Sequence, residues 1–392
     1  MDALQANKRL HMPQPRINNM TELCQQANSI LAREEALRVL NVCNACRYCE
    51  GLCATFQSLS QKQNIVMQDL NQLANLCHNC TACYHDCQYT PPHDLNINVP
   101  ATLTNIRHSS YQNYAWPQSF NRLFENNALM VFFITTASLI GILLLGTWAI
   151  TPDTLFSTHT GPGAFYAVIP HNVMIAVASA TFGFSMLALS VGAIKYWQEN
   201  RSPHQVTIRN LHQAASDIAK LKHLDGGHGQ GCSTKDDAPS QQRRIFHQLT
   251  MWGFLLCFLS TSVATIYDYL LGLAAPYPIW QLPVVLGIVG GIGLLVGPLG
   301  LAYHKIVSDP NALPRSYFGM DYAFLAALFL VSFSGFVLLA LRSTSFMGIS
   351  LLIHLGFVLA FFLTIPYSKF VHSIYRTLAL VIFNTQINPK TD

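Results

Sequence analysis

Cys43-Asn44-Ala45-Cys46-Arg47-Tyr48-Cys49-Glu50-Gly51-Leu52-Cys53 and Cys77-His78-Asn79-Cys80-Thr81-Ala82-Cys83-Tyr84-His85-Asp86-Cys87 are two copies of one pattern, C-x2-C-x2-C-x3-C. Together they hold eight of the chain's 11 cysteines. This is the ligand spacing of bacterial ferredoxins with two [4Fe-4S] clusters, in which a tight loop supplies three thiolates and the other run supplies the fourth. The rule predicts Cys43, Cys46, Cys49 and Cys87 on one cluster, and Cys77, Cys80, Cys83 and Cys53 on the other. Four-thiolate zinc sites also use C-x2-C pairs, but two identical four-cysteine runs fit that reading less well. Disulfides belong to oxidising compartments, and Met1 to Asn28 contains no apolar run of a secretion signal. Ala54 and Gln88 stand where the ferredoxin run normally carries proline, so the loop after each run differs from that pattern.

Outward from these runs the composition divides in two. The chain is 51% hydrophobic and only 11% charged, against about 25% charged in a soluble protein. Residues 1–128 are polar and rich in Asn and Gln, whereas 129–385 contain long uncharged stretches. The net charge of +4 is small, and no basic stripe with interleaved aromatics appears, so nucleic acid is excluded as a partner. The expected fold class is all-α: an N-terminal helical ferredoxin-like domain carrying two [4Fe-4S] clusters, then a six-helix transmembrane bundle of cytochrome b type.

In the N-terminal part, residues 1–20 read as a loose arm and 21–100 as the ferredoxin-like domain. Thr21 to Leu40 carries apolar residues at helical spacing, as does Ile65 to Leu76, so each helix leads into a cysteine run. Pro91, Pro92 and Pro100 interrupt the chain, and 101–128 reads as a linker to the membrane domain at 129–385. A span needs about 20 apolar residues. Six stretches qualify, at about 129–150, 166–192, 248–271, 281–303, 321–341 and 346–368. Gly290, Gly291, Gly293, Gly297 and Gly300 in the fourth predict close helix packing, and Trp148, Trp197, Trp252 and Trp280 fit an interfacial belt. Lys and Arg concentrate in the N-terminal part, the loops 193–247 and 304–320, and the tail. The positive-inside rule then places both termini and the cysteine domain in the cytoplasm, with six passes through the inner membrane. The loop 193–247 reads as solvated and touching the iron–sulfur domain, with a flexible patch at Gly226, Gly227, Gly229 and Gly231 beside His228 and Cys232. No Walker Lys-Ser/Thr pair follows the patch, and Cys232 receives no role.

Histidines in or near spans are costly and usually functional. His354 and His372 lie 18 positions apart, five whole turns of a continuous helix, so both project from one face about 27 Å apart. That is close to the hydrocarbon thickness and is how b-type cytochromes space haems. His247, at the start of span three, lies level with His372 and forms an inner haem b pair with it. His171 lies level with His354 and forms the pair for a second, outer haem. Against these stand bland readings: helix-end capping for His304, a headgroup position for His171, and small apolar packing for Cys257. No G-x-G-x-x-G fingerprint is present, so FAD is not expected on this chain.

Asn44 to Gly51, Leu73 to Cys80, Cys87 to His93, Arg243-Arg244 with Phe246-His247, Gly253 to Cys257, Ile353 to Gly356 and Pro366 to His372 resemble tricarballylate-utilisation protein B, the family also called citrate-utilisation protein B. The resemblance runs from about residue 22 to 380. It implies an electron-transfer subunit rather than a stand-alone enzyme. A partner FAD-dependent tricarballylate dehydrogenase would leave electrons on its flavin, and this chain would take them through two [4Fe-4S] clusters and haem b to the quinone pool. The membrane part is also similar to the cytochrome b subunit of respiratory nitrate reductase. There the helix matching span three carries two histidines. Here His247 matches the first and Cys257 stands at the second, so the resemblance carries the His247–His372 pair. The competing class is a membrane-anchored iron–sulfur redox sensor without quinone chemistry.

Overall fold

A computed structural model describes residues 20–202, 204–227, 229–233 and 239–389. The expected arm, Met20 apart, and His228 lie outside the described residues. Among those residues the chain is helical, with one isolated antiparallel bridge, Cys232 to Ser240. The cysteine-bearing part holds α1 (Met20–Cys46), α2 (Ala54–Ser60), α3 (Asp69–Leu76), α4 (Ala82–His85) and α5 (Val99–Tyr114). Its core joins Ala36, Val39 and Leu40 of α1 to Leu70 and Leu73 of α3, and to Leu103 and Ile106 of α5. Each such leucine contributes about 1.5–3 kcal/mol relative to exposure. Two expectations change here. α1 runs on through Cys43 to Cys46, and α3 starts only at Asp69, because residues 65–68 turn back and Asp69 accepts from the Val66 amide at 2.9 Å. The segment read as a linker carries most of α5. That helix is started by Pro100 and by Asn98, whose side chain accepts from the Ala101 amide at 3.0 Å. Its apolar face belongs to the cysteine domain's core.

After a 3-10 turn at Gln118–Phe124 come α6 (Asn127–Ala149), the short α7 (Pro152–Leu155) and α8 (Ala164–Val168), α9 (His171–Asn200), α10 (Ile208–Lys220), α11 (Gln242–Leu271), α12 (Leu282–Ile306), α13 (Phe318–Leu341), α14 (Met347–Thr364) and α15 (Val371–Ile387). Among the described residues, α6, α9, α11, α12, α13 and α14 are the six helices long and apolar enough to cross a membrane. This is a multi-pass membrane protein. α11 and α12 make backbone contact through glycine: a Cβ on Gly290 would lie 2.8 Å from both the Cys257 amide nitrogen and the Gly253 carbonyl oxygen. Without a hydrophobic force between spans in lipid, such close approach is what holds two helices together.

The single helix expected to carry His354 and His372 does not exist. α14 stops at Thr364, a 3-10 turn covers Ile365–Tyr367, and Ser368 is extended before α15 begins. Pro366 has no N–H and its ring clashes with the carbonyl four residues back; whereas α12 runs on through Pro298, here the helix breaks. The loop 193–247 also differs from a solvated connection. It carries α10, which is capped by Thr207, accepting from the Asn210 amide at 3.2 Å, and which packs on α15. Gly226, Gly227 and Gly231 serve close approach, whereas nothing lies within 4 Å of a Cβ placed on Gly229. Gly227 has φ +87°, and a Cβ there would meet the Leu52 Cα at 2.5 Å. Ser233 donates its amide to the Cys80 carbonyl at 3.1 Å.

The cysteine domain docks on the bundle end that carries the 193–247 and 304–320 loops, through an aromatic wedge. Tyr114 of α5 meets Tyr196 of α9 at 5.3 Å, and Tyr196 stacks on Tyr375 of α15 at 5.3 Å. Tyr114 donates to Glu199 at 2.8 Å and accepts from Asn71 at 3.0 Å. Replacing Gly290 with leucine should force α11 from α12 and cost at least about 1–3 kcal/mol. Thermal unfolding in detergent should show a lower midpoint for Gly290→Leu. Gly287→Ala, where the nearest atom is the Ser260 hydroxyl at 3.2 Å, should leave the midpoint close to that of the parent.

Candidate functional site

Each cysteine run is shaped by the same backbone device. The residue after the second cysteine is left-handed in both: Arg47 has φ 55° and Thr81 has φ 62°. Non-glycine residues adopt this conformation at a cost of about 1–2 kcal/mol, and such outliers gather at functional sites. The turn folds each run back on itself. Cys43 and Cys46 sit on the last turn of α1, Cys53 caps α2, and Cys77 ends α3.

Each of two cavities draws its cysteines from both runs. One cavity is lined by Cys43, Cys46, Cys49 and Cys87, with Tyr48, Asp86 and Ile97. A second is lined by Cys53, Cys77, Cys80 and Cys83, with His78 and His223. Phe56, which is buried, lines both. The first cavity opens at the surface, where Cys46 is exposed and Tyr48 is 75% exposed. The second lies deeper, against the bundle. Sulfur acceptors are already engaged: the Asn79 amide donates to Cys77 Sγ and the Tyr89 amide to Cys87 Sγ, both at 3.4 Å.

Burial, then the neighbouring thiols Cys87 and Cys46, pushes Cys43 up to about 12. Cys49 is likewise pushed up to about 12, by burial and then by Cys43 and Cys87. Burial holds Cys83 well above the ordinary thiol value, with Cys80, Cys77 and Cys53 adding to it. Thiolates at Cys43, Cys49 and Cys83 are therefore disfavoured unless a cationic group sits beside them. Among the described residues no three His, Cys, Asp or Glu side chains converge on one metal ion. The quartets surround cavities, which suits a multi-iron group whose thiolates bind different irons.

The second cavity is gripped from the membrane side. Arg376 of α15 donates to the Asn75 carbonyl at 3.3 Å, to the Cys77 carbonyl and to His78 Nδ1 at 2.7 Å. A guanidinium only donates, so His78 Nδ1 is the unprotonated nitrogen. Burial and then Arg376 hold His78 well below the usual imidazole value, which keeps it neutral. Arg243 of α11 donates to the His78 carbonyl at 3.0 Å and to the Asn79 carbonyl. Arg107 of α5 donates to the Ala74 carbonyl at 2.8 Å and to the Asn79 side chain at 3.0 Å.

His247 and His372 face each other across this grip, ring centroids 6.2 Å apart and planes at 82°. His372 Nδ1 is bonded to the Lys369 carbonyl, so that nitrogen carries the proton and Nε2 offers its lone pair. Metal-ligating histidines are held in this way. His247 Nδ1 is buried with no protein partner. Two imidazoles binding one iron at about 2.0–2.1 Å, the usual metal–imidazole distance, need a comparable centroid spacing. His304 ends α12 beside Phe246 at 5.8 Å, with its Nε2 buried and unpaired.

The outer pair is not brought together. His171 Nε2 lies 2.8 Å from Asp268, with Tyr166 4.5 Å from its ring. His354 Nδ1 meets the Ser334 hydroxyl at 3.0 Å, packed against Gly335. Each has a local partner on a different helix. Cys257 faces Gly290 of α12 in the α11–α12 contact.

Sequence reasoning missed the three arginines and Phe56. Arg243 lies four residues before His247 and Arg376 four after His372, one helical turn from each, so helical spacing carried a signal. It also gave no role to Cys232, which is buried beside Leu221 and Leu224 with Cys80 packed against them.

These features define a ferredoxin-like cysteine domain joined to a six-helix membrane bundle. The family profile described as Citrate utilization protein B Fer4-like domain matches residues 36–113, and the one described as Citrate utilization protein B matches 124–388. A Citrate utilization protein B from Escherichia coli is 44% identical over 347 residues, 88% of this chain and 90% of that protein. No solved structure matches significantly. The chain belongs to the citrate utilization protein B family.

Near the His372 turn, Asp321 of α13 forms ion pairs with Lys305 at 2.5 Å and with Lys369 at 3.0 Å. Removing one member of a buried ion network costs about 3–5 kcal/mol, because it leaves charge uncompensated. Asp321→Asn, which leaves two lysines face to face, should fall near the lower end of that range. A reduced thermal midpoint in detergent, largely restored by Asp321→Glu, is the expected result.

Proposed function

We propose that this chain is the membrane electron-transfer partner of a flavoprotein dehydrogenase acting on tricarballylate or citrate-like tricarboxylates, with quinone as final acceptor. The observation that carries the reading is the order of the sites: an exposed cysteine quartet, a buried quartet, and a facing histidine pair, joined through Phe56 and Arg376. Cys43, Cys46, Cys49 and Cys87 would hold one [4Fe-4S] cluster, Cys77, Cys80, Cys83 and Cys53 the other, and His247 with His372 a haem b. When bound, these groups carry single electrons and so split the two-electron oxidation of a reduced flavin into one-electron steps.

The protein's own residues set direction and insulation. Exposure of Cys46 and Tyr48 leaves the first quartet within reach of a docked flavoprotein. Burial of Cys77, Phe56 and Leu52 excludes water from the second. The carbonyl of Lys369 fixes the His372 tautomer. Docking of the cysteine domain on the loop-rich, Lys- and Arg-bearing end of the bundle supports a cytoplasmic domain with both termini inside. The tricarboxylate class rests on the family's description and on the resemblance of the cysteine and histidine segments.

Dithionite-reduced membranes containing the protein should show a b-type haem band. His372→Ala should abolish it and His304→Ala should retain it; a band that survives in the first variant removes His372 as a ligand. Cys53→Ser should remove or transform the paramagnetic signal of the cluster held by Cys77, Cys80 and Cys83 while sparing the other. Loss confined to the Cys43–Cys49 cluster would show that the fourth ligands are not exchanged.

A further inference from the structure

Arg243 and Arg376 reach the Cys77–Asn79 turn from two different helices, each one turn from a histidine of the facing pair. Between them they occupy the carbonyls of Cys77, His78 and Asn79, and Arg376 also takes the His78 ring. Arg107 adds a third guanidinium at Asn79. Among the described residues none of the three forms an ion pair with a carboxylate. A buried cation is normally paired, yet Arg107 is 5% exposed and its partners are neutral. Three cations therefore crowd one turn whose anionic counterpart is not a side-chain carboxylate. The second cysteine quartet is the group beside them that becomes anionic, since four thiolates outweigh the charge of the iron core they hold.

We propose that Arg243 and Arg376 are positioning residues for electron transfer: they lock the second quartet to the His247–His372 pair at fixed spacing, and their charge stabilises the reduced form of the centre at that quartet. This rests on the function proposed above. Reduction adds one electron, lost by the centre at the first quartet, and no proton. The added negative charge sits in a low-dielectric site beside fixed cations, where an electrostatic interaction is strong. The geometry separates two roles. Charge alone acts on the potential, whereas the three-way hydrogen bonding of Arg376 acts on the spacing. A lysine keeps the first and cannot reproduce the planar fork of the second.

The test uses the purified full-length holoprotein, with redox titration followed by electron paramagnetic resonance and stopped-flow reduction read at the b-type band. In Arg376→Gln the cluster at the second quartet should become about tenfold harder to reduce, ~59 mV for one electron, while the first-quartet cluster stays unchanged. Haem reduction should slow at least about tenfold, a loss of about 1.4 kcal/mol in the barrier. Arg376→Lys should keep most of the potential and still slow haem reduction. Arg243→Gln should give a smaller shift of the same sign. An unchanged potential in Arg376→Gln, with both cluster signals and the haem band intact, overturns the proposal. If Arg376→Gln fails to assemble the second cluster, Arg243→Gln decides by the same criterion. A parent protein lacking two cluster signals or the b-type band defeats the proposed function itself, and this is seen before any variant is made.

Discussion

The break at Pro366 is the constraint on which the site depends. Had α14 run on as one helix, residue 372 would lie on the axis of the last span, and the residues after it would leave the bundle in that direction. Instead the chain turns through Ile365–Tyr367, and α15 starts afresh at the docking face. That new helix performs three tasks at once. It places His372 opposite His247, sends Arg376 into the Cys77 turn, and packs Tyr375 against both Tyr114 and Tyr196. A residue that breaks the helix here thereby connects the membrane part to the cysteine domain.

The cysteine domain solves a related problem. Two short runs each bring three cysteines into one turn, and the fourth must come from the other run. This requires the ends of α1 and α3 to lie side by side. The core of Leu40, Leu73, Leu103 and Ile106 supplies that, with α5 as its third wall. α5 is thus part of the scaffold that aligns the quartets, and through Tyr111 and Tyr114 it is also part of the joint to the bundle. Alignment of the quartets and docking of the domain share one helix, so the distance from cysteines to histidines is fixed by packing rather than by a tether.

What was legible in the sequence follows from which rules are local. Cysteine spacing is a local ligand rule, and the exchanged quartets it implied are the sets of residues that line the two cavities. Span number is a matter of run length, and six helices of sufficient length and apolarity are present. The single helix through His354 and His372 failed because five turns of periodicity were read across Pro366, where a breaker outranks periodicity. The 193–247 connection looked solvated because Gly226, Gly227 and Gly231 resemble a flexible patch. Their need for positive φ and absent Cβ atoms becomes visible only when Leu52 and Ser240 are seen against them. For the arginines, spacing one turn from His247 and His372 was the only trace: a guanidinium that binds carbonyls leaves no pattern of its partners, since every residue has a carbonyl.

Partnering, rather than depth, sorts the membrane histidines. A buried imidazole has two nitrogens to satisfy, and an unpaired polar atom in an apolar region costs about 1–3 kcal/mol. His354 meets a serine hydroxyl on α13, and His171 meets a carboxylate on α11. Both ties join neighbouring helices and give those rings a structural use. His372 directs one nitrogen to a backbone carbonyl and leaves the other as a lone pair, while His247 keeps a buried nitrogen without a protein partner. The rings are 6.2 Å apart and perpendicular, and His247 retains its cost unless its buried nitrogen finds a partner. His304 also carries an unpaired nitrogen, but its ring neighbours are Phe246 and Tyr303 rather than a second imidazole. Of the five membrane histidines, His247 and His372 are thus the two whose rings face each other among the described residues.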